Sequence, residues 1–120
     1  MALTAIKIGP YTIQPLVVDQ AADTGPTELV AARAGSRICV FRHHLQATPG
    51  GTFTLFSGAN PLSAALPMAA TGGFVEAAVA ILRGVEIVPV LWTNVGEALN
   101  LTTVGAACKG WSQWYYWSGM

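Results

Sequence analysis

Short apolar or alternating stretches recur about every 8–12 residues along this chain, each closed by Gly, Pro, Asn or Asp. That cadence leaves little uninterrupted length for helices and favours many short strands. The expected fold class is all-β: a β-sandwich, jelly-roll or immunoglobulin-like, of about eight short strands with at most one short helix.

The segments follow from local pattern. Thr12-Ile13-Gln14-Pro15-Leu16-Val17-Val18 reads as the first full strand, and Pro15, which has no N–H, places it near a sheet edge. Residues 19–26 form a polar loop. Residues 28–34 and 37–46 read as a hairpin joined at Gly35-Ser36. Thr52-Phe53-Thr54-Leu55-Phe56 alternates polar and apolar, as a half-buried strand does. Residues 57–61 form a turn cluster, residues 62–68 a short strand, and Thr71-Gly72-Gly73 closes it.

Residues 74–82 carry two signals. Their alanines favour helix, and Phe74, Ala77, Ala78 and Ile81 fall on a helical stripe. Strand or irregular structure is the expectation, because the rest of the chain is β. Residues 85–92 are rich in β-branched side chains, with Pro89 marking an edge or bulge. Leu99-Asn100-Leu101-Thr102-Thr103 and residues 110–118 complete the sheets. The organisation expected is an N-terminal arm, residues 1–10, and a single β-sandwich domain, residues 11–120.

Charge is scarce. Only six basic and six acidic residues occur in 120, against 52% apolar residues. A soluble domain is ordinarily about a quarter charged, and that charge keeps a monomer dispersed. So little charge predicts a surface covered by other protein, hence a homo-oligomer. The basic residues Lys7, Arg33, Arg37, Arg42, Arg83 and Lys109 are scattered, which argues against nucleic acid. Glu76, Arg83 and Glu86 interrupt the most apolar stretch, so no membrane span is expected. The first ten residues do not read as a secretory signal.

Residues able to carry chemistry are few. His43 and His44 are adjacent, so on a strand they point to opposite faces and cannot chelate one ion together. Cys39 and Cys108 fit no metal-ligand spacing and read as buried free thiols rather than a disulfide. The acids stand apart, and Gly72-Gly73 is a turn without the lysine of a phosphate loop. Asn100-Leu101-Thr102 matches a glycosylation sequon and reads as a strand-end coincidence. The expectation is a protein that is not an enzyme, with no catalytic, metal or cofactor-binding residues.

The C-terminal run is the richest in information. On a strand, Trp111, Tyr115 and Trp117 share one face with Gln113, while Trp114 and Tyr116 share the other. Three readings are open: a central strand buried on both faces, a contact with a neighbouring subunit, or a platform that stacks on sugar rings. Trp and Tyr dominate interface hot spots, so Trp111, Trp114, Tyr115, Tyr116 and Trp117 are candidate interface residues. Residues 2–8 alternate, and Leu3, Ile6 and Ile8 are candidates for pairing with a neighbouring sheet edge.

Several of these segments together resemble small structural proteins of tailed phages. The resemblance rests on Phe53-Thr54-Leu55-Phe56-Ser57-Gly58, residues 62–67, Ala69-Ala70-Thr71-Gly72-Gly73, and Gly96-Glu97-Ala98-Leu99-Asn100-Leu101. In that family such a stretch precedes a small-residue loop and a last strand of the form Gly-x-x-x-Tyr. Here Gly110 and Trp114 stand at those places, with Trp where Tyr is usual. It covers about half the chain, from Phe53 onward, and its motifs are mostly turn and strand chemistry. The long segment between Gly73 and Trp92 and the dense aromatics at the C-terminal end depart from the family pattern.

The resemblance implies a capsid decoration (cement) protein: a trimer on the outside of the virion head, made in the host cytoplasm and bound to the major capsid protein. It assigns no catalytic residue. Competing readings are a carbohydrate- or receptor-binding module of a virion, with Trp111, Trp114 or Trp117 on the sugar, and a tail or fibre subunit.

Overall fold

Alternation of apolar and polar residues, broken by Gly and Pro, produces strands throughout. A computed structural model describes residues 4–47, 51–62, 66–67, 73–76, 81–83 and 86–118. Among the described residues the fold is all-β without a helix, in two antiparallel sheets. In chain order the strands are β1 (Ile6–Ile8), β2 (Tyr11–Gln20), β3 (Thr27–Val30), β4 (Arg37–Ala47), β5 (Thr52–Ser57), β6 (Asn60–Pro61) and β7 (Leu66–Pro67). There follow β8 (Gly73–Glu76), β9 (Ile81–Arg83), β10 (Glu86–Val88), β11 (Leu91–Trp92), β12 (Leu99–Val104) and β13 (Cys108–Trp117).

The larger sheet has the order β1-β2-β13-β4-β11, with β8 also on β4. The smaller has the order β3-β12-β5-β6, with β7 also on β5. Strands β9 and β10 form a separate hairpin. Their neighbour β8 is a strand as well, so the described ends of the ambiguous segment are β, while residues 77–80 lie outside the described residues.

Two features correct or refine the sequence reading. Residues 28–34 and 37–46 do not form a hairpin: β3 pairs with β12 in one sheet, and β4 pairs with β13 in the other. The turn closed by Ser36 N–H on the Arg33 carbonyl, at 3.1 Å, carries the chain across the layers instead. Residues 6–8 of the expected arm fold back on β2, with Ile6 opposite Ile13, so β1 is the edge of the large sheet. It reaches no further than Ile13, which leaves Pro15 past its end, where a missing N–H costs no ladder bond.

The core lies between the sheets. Val18, Ile38, Val40, Leu45 and Cys108 of the large sheet meet Val30, Phe53, Leu55, Leu99 and Leu101 of the small one. A side chain as deeply buried as Phe53 or Leu101 contributes roughly 1.5–3 kcal/mol. Gln20 couples the layers: its amide donates to the carbonyls of Thr24 and Leu101, both at 3.0 Å.

One irregularity decides what the large sheet shows to the outside. Gln113 pairs with Arg42, but Trp114 pairs with Val40, leaving Phe41 as an extra residue in β4. This β-bulge shifts the phase of the strand. Cys39, Phe41, Arg42 and His44 therefore share the outer face, while Ile38, Val40, His43 and Leu45 point toward the core side.

Candidate functional site

Chemistry-bearing side chains do not converge among the described residues. Among the described residues no three His, Cys, Asp or Glu side chains gather as metal ligands. No described helix is long and apolar enough to cross a membrane. The two histidines divide as their adjacency dictates. His44 stacks on Trp111 of the outer face, with ring centroids 5.8 Å apart. His43 is buried opposite Ser112, and burial lowers its pKa.

The thiols lie on opposite sides of the sheet. Cys108 belongs to the inter-sheet core and Cys39 to a second cluster on the outer face, and both are free. Burial pushes each up to about 11; at Cys39 a hydrogen bond from Tyr115 and the Arg37 charge pull the other way. Neither is an activated nucleophile.

The aromatic strand β13 splits as its alternation requires. Trp114 and Tyr116 face the core side, packed edge-on to each other with centroids 4.8 Å apart. The Tyr116 hydroxyl donates to the Ala31 carbonyl at 2.7 Å, and the Arg33 guanidinium lies 4.8 Å from its ring. These two rings are engaged within the chain and line an open cavity of about 670 Å³ together with Arg33 and Gln14.

Trp111, Tyr115 and Trp117 lie on the outer face. Tyr115 packs against Tyr11 at 5.0 Å in the cluster of Ile13, Cys39 and Phe41, and is only 2% exposed. Ile8 packs on the same cluster, whereas Ile6 is 45% exposed. Leu3 lies outside the described residues. Trp117 is 37% exposed and holds the Arg37 guanidinium 5.8 Å from its ring.

Arg42 lies over the Phe41 and Trp111 rings, and its Nε–H donates to the Gln113 side chain. Beyond it Val17 is 72% exposed. The exposed Asp19–Lys109 pair, 3.8 Å apart, carries the far end of this face.

Sequence reasoning did not single out Tyr11, Arg37, Arg42, Val17 or Trp92 for this face. Trp92 pairs opposite Cys39 and is 49% exposed. These residues come from three strands, and only the register between strands brings them beside Trp111 and Trp117 of a fourth.

Beside the small sheet the Glu97 corner is closed by hydrogen bonds. Its carboxylate accepts from Ser57 Oγ at 2.6 Å and from Asn94 Nδ2 at 2.9 Å, and the Ser57 bond is the main cause holding its pKa below the ordinary value. The arrangement as a whole is an aromatic, weakly charged sheet face suited to binding by area and stacking. No family model matches the chain, nor does any curated protein or solved structure.

Proposed function

We propose that this chain is a virion structural protein: a capsid decoration, or cement, protein of a tailed-phage head. In this reading it forms a homotrimer on the outside of the shell and binds neighbouring major capsid subunits. It stabilises the head against internal pressure and catalyses no reaction.

The observation that carries the reading is the uncovered outer face. Val17, Trp92 and Trp117 stand exposed on it, in a chain with only twelve formally charged residues to keep its surface wet. Large apolar and aromatic side chains left exposed on one sheet face support a surface that another protein covers. Two of the segments behind the phage resemblance, residues 53–58 and 96–101, add support, because they are neighbours in space. Strand β5 pairs with β12 from Leu99 opposite Ser57 to Val104 opposite Thr52, and Glu97 locks the corner between them. The edge strand β1 offers a further contact, since its outer side carries no strand among the described residues and can be extended by a neighbouring chain.

Sedimentation velocity on the full chain, combined with titration onto phage heads that lack decoration, tests the reading. A stable trimer that saturates the heads and raises their resistance to heat is the expected result. A monomer at high concentration that leaves the heads bare would overturn it.

A further inference from the structure

The outer face is not uniform. At the end away from Val17 it dips into an apolar cleft of about 310 Å³, walled by Tyr11, Trp92, Trp117, Pro89 and Tyr115, with Arg37 in its lining. This volume lies at the lower end of small-ligand sites, enough for one or two sugar rings. Trp92 and Trp117 are each partly in solvent, so the cleft opens outward. A chain end therefore fits it better than an enclosed small molecule would.

Its electrostatics are one-sided. Among the described residues no carboxylate lines the cleft, and Arg37 is the cation in its lining. The Arg37 guanidinium lies 5.8 Å from the Trp117 ring in the cleft lining, and no ion pair holds it among the described residues. A cation set in an apolar wall without a counter-charge is unfavourable. It calls for an acceptor from outside the chain, and a carboxylate is the acceptor that matches a guanidinium in charge and geometry. Flat indole and phenol faces next to that donor select a partner with an apolar ring face. A pyranose ring bearing a carboxylate supplies both.

We infer that the Tyr11–Trp92–Trp117–Arg37 cleft binds the acidic terminal sugar of a surface glycan, with the ring stacked on tryptophan and its carboxylate on Arg37. The site shares Trp92 and Trp117 with the exposed face on which the proposed function rests, so the capsid contact must then use the Val17 end and the edge strand β1. A decorated particle would use it to hold anionic polysaccharide at the cell surface or in the surrounding matrix.

The experiment titrates the full-length protein with a glucuronate-terminated and a sialate-terminated oligosaccharide, their neutral counterparts and a proline-rich peptide. Indole and guanidinium N–H resonances are followed by NMR. Binding of an acidic sugar at millimolar or better affinity is expected, with shifts confined to the Trp92, Trp117 and Arg37 signals. The neutral counterparts should bind on the order of tenfold more weakly.

Arg37→Gln should remove that preference, and Trp92→Ala should weaken both sugars about tenfold. The half-exposed position of Trp92 makes its variant a safe control for folding. Equal affinity for acidic and neutral sugars, no binding at about 10 mM, or capture of the proline-rich peptide by the cleft in place of sugar would each overturn the inference. Head binding by the same protein sample is read separately, so failure of one leaves the other standing.

Discussion

Gly110 in β13 runs so close to β4 that a Cβ at its position would sit 2.0 Å from the His44 carbonyl oxygen. The obstacle is backbone in the middle of the sheet, not a side chain that can swing aside. Its φ of +155° adds strain for any L residue. Gly110→Ala is therefore expected to cost roughly 2–4 kcal/mol, through overpacking and loss of ladder geometry. Urea denaturation followed by tryptophan fluorescence measures it. An unchanged midpoint would mean that the two strands do not approach this closely.

Val17 separates folding from association. At 72% exposure it makes little contribution to the core, so Val17→Lys is expected to change stability by less than about 0.5 kcal/mol. A charge placed in an apolar interface is expensive, because it is desolvated without a partner. The variant should therefore sediment as a smaller species than the native protein at equal concentration, with an unchanged melting temperature. Identical sedimentation would remove this end of the sheet from the subunit contact.

Strand content, the division of His43 from His44 and the two faces of β13 were legible in the sequence, because a period of two is a local property. Phe53 and Leu55 of β5 likewise bury as their alternation predicts, while Ser57, read as part of a turn, ends the strand as a buried residue. The cleft was not legible. It depends on Trp92 lying opposite Cys39 and on Tyr11 reaching Tyr115 across the sheet. Neither pairing leaves a mark on nearby residues. The bulge at Phe41 hid as well, since the extra residue is recognised only once Gln113 and Trp114 are paired with their partners. The mistaken hairpin at Gly35 has a related cause. A short turn between two apolar segments looks the same whether its strands pair with each other or enter different sheets.

The thiols give a third prediction. Cys39 and Cys108, both pushed up to about 11, are thiolate in about one molecule in a thousand at pH 8, against about one in four for an ordinary thiol. Native protein should react with iodoacetamide at least about a hundredfold more slowly than protein in urea. Because one lies in the outer cluster and the other in the inter-sheet core, reductant should leave the melting temperature unchanged. A drop in melting temperature on reduction would show that the two are joined.

Proton uptake by His43 should limit stability on the acid side of neutrality. Burial lowers its pKa below 6.5 in the folded protein, while the unfolded chain titrates near the ordinary value. Below pH 6.5 the unfolded state therefore binds more protons than the folded one, and the free energy of unfolding falls as pH falls. The contribution is fully present above 6.5 and is lost as pH drops toward the folded pKa. Glu97, depressed mainly by its bond from Ser57, has the same sign but acts only at and below the ordinary carboxylate range. Chemical denaturation from pH 7.5 to 5 should show a steady loss in the native protein, flattened in His43→Gln. An equal slope in both proteins would mean that His43 is charged, or open to water, in the folded state.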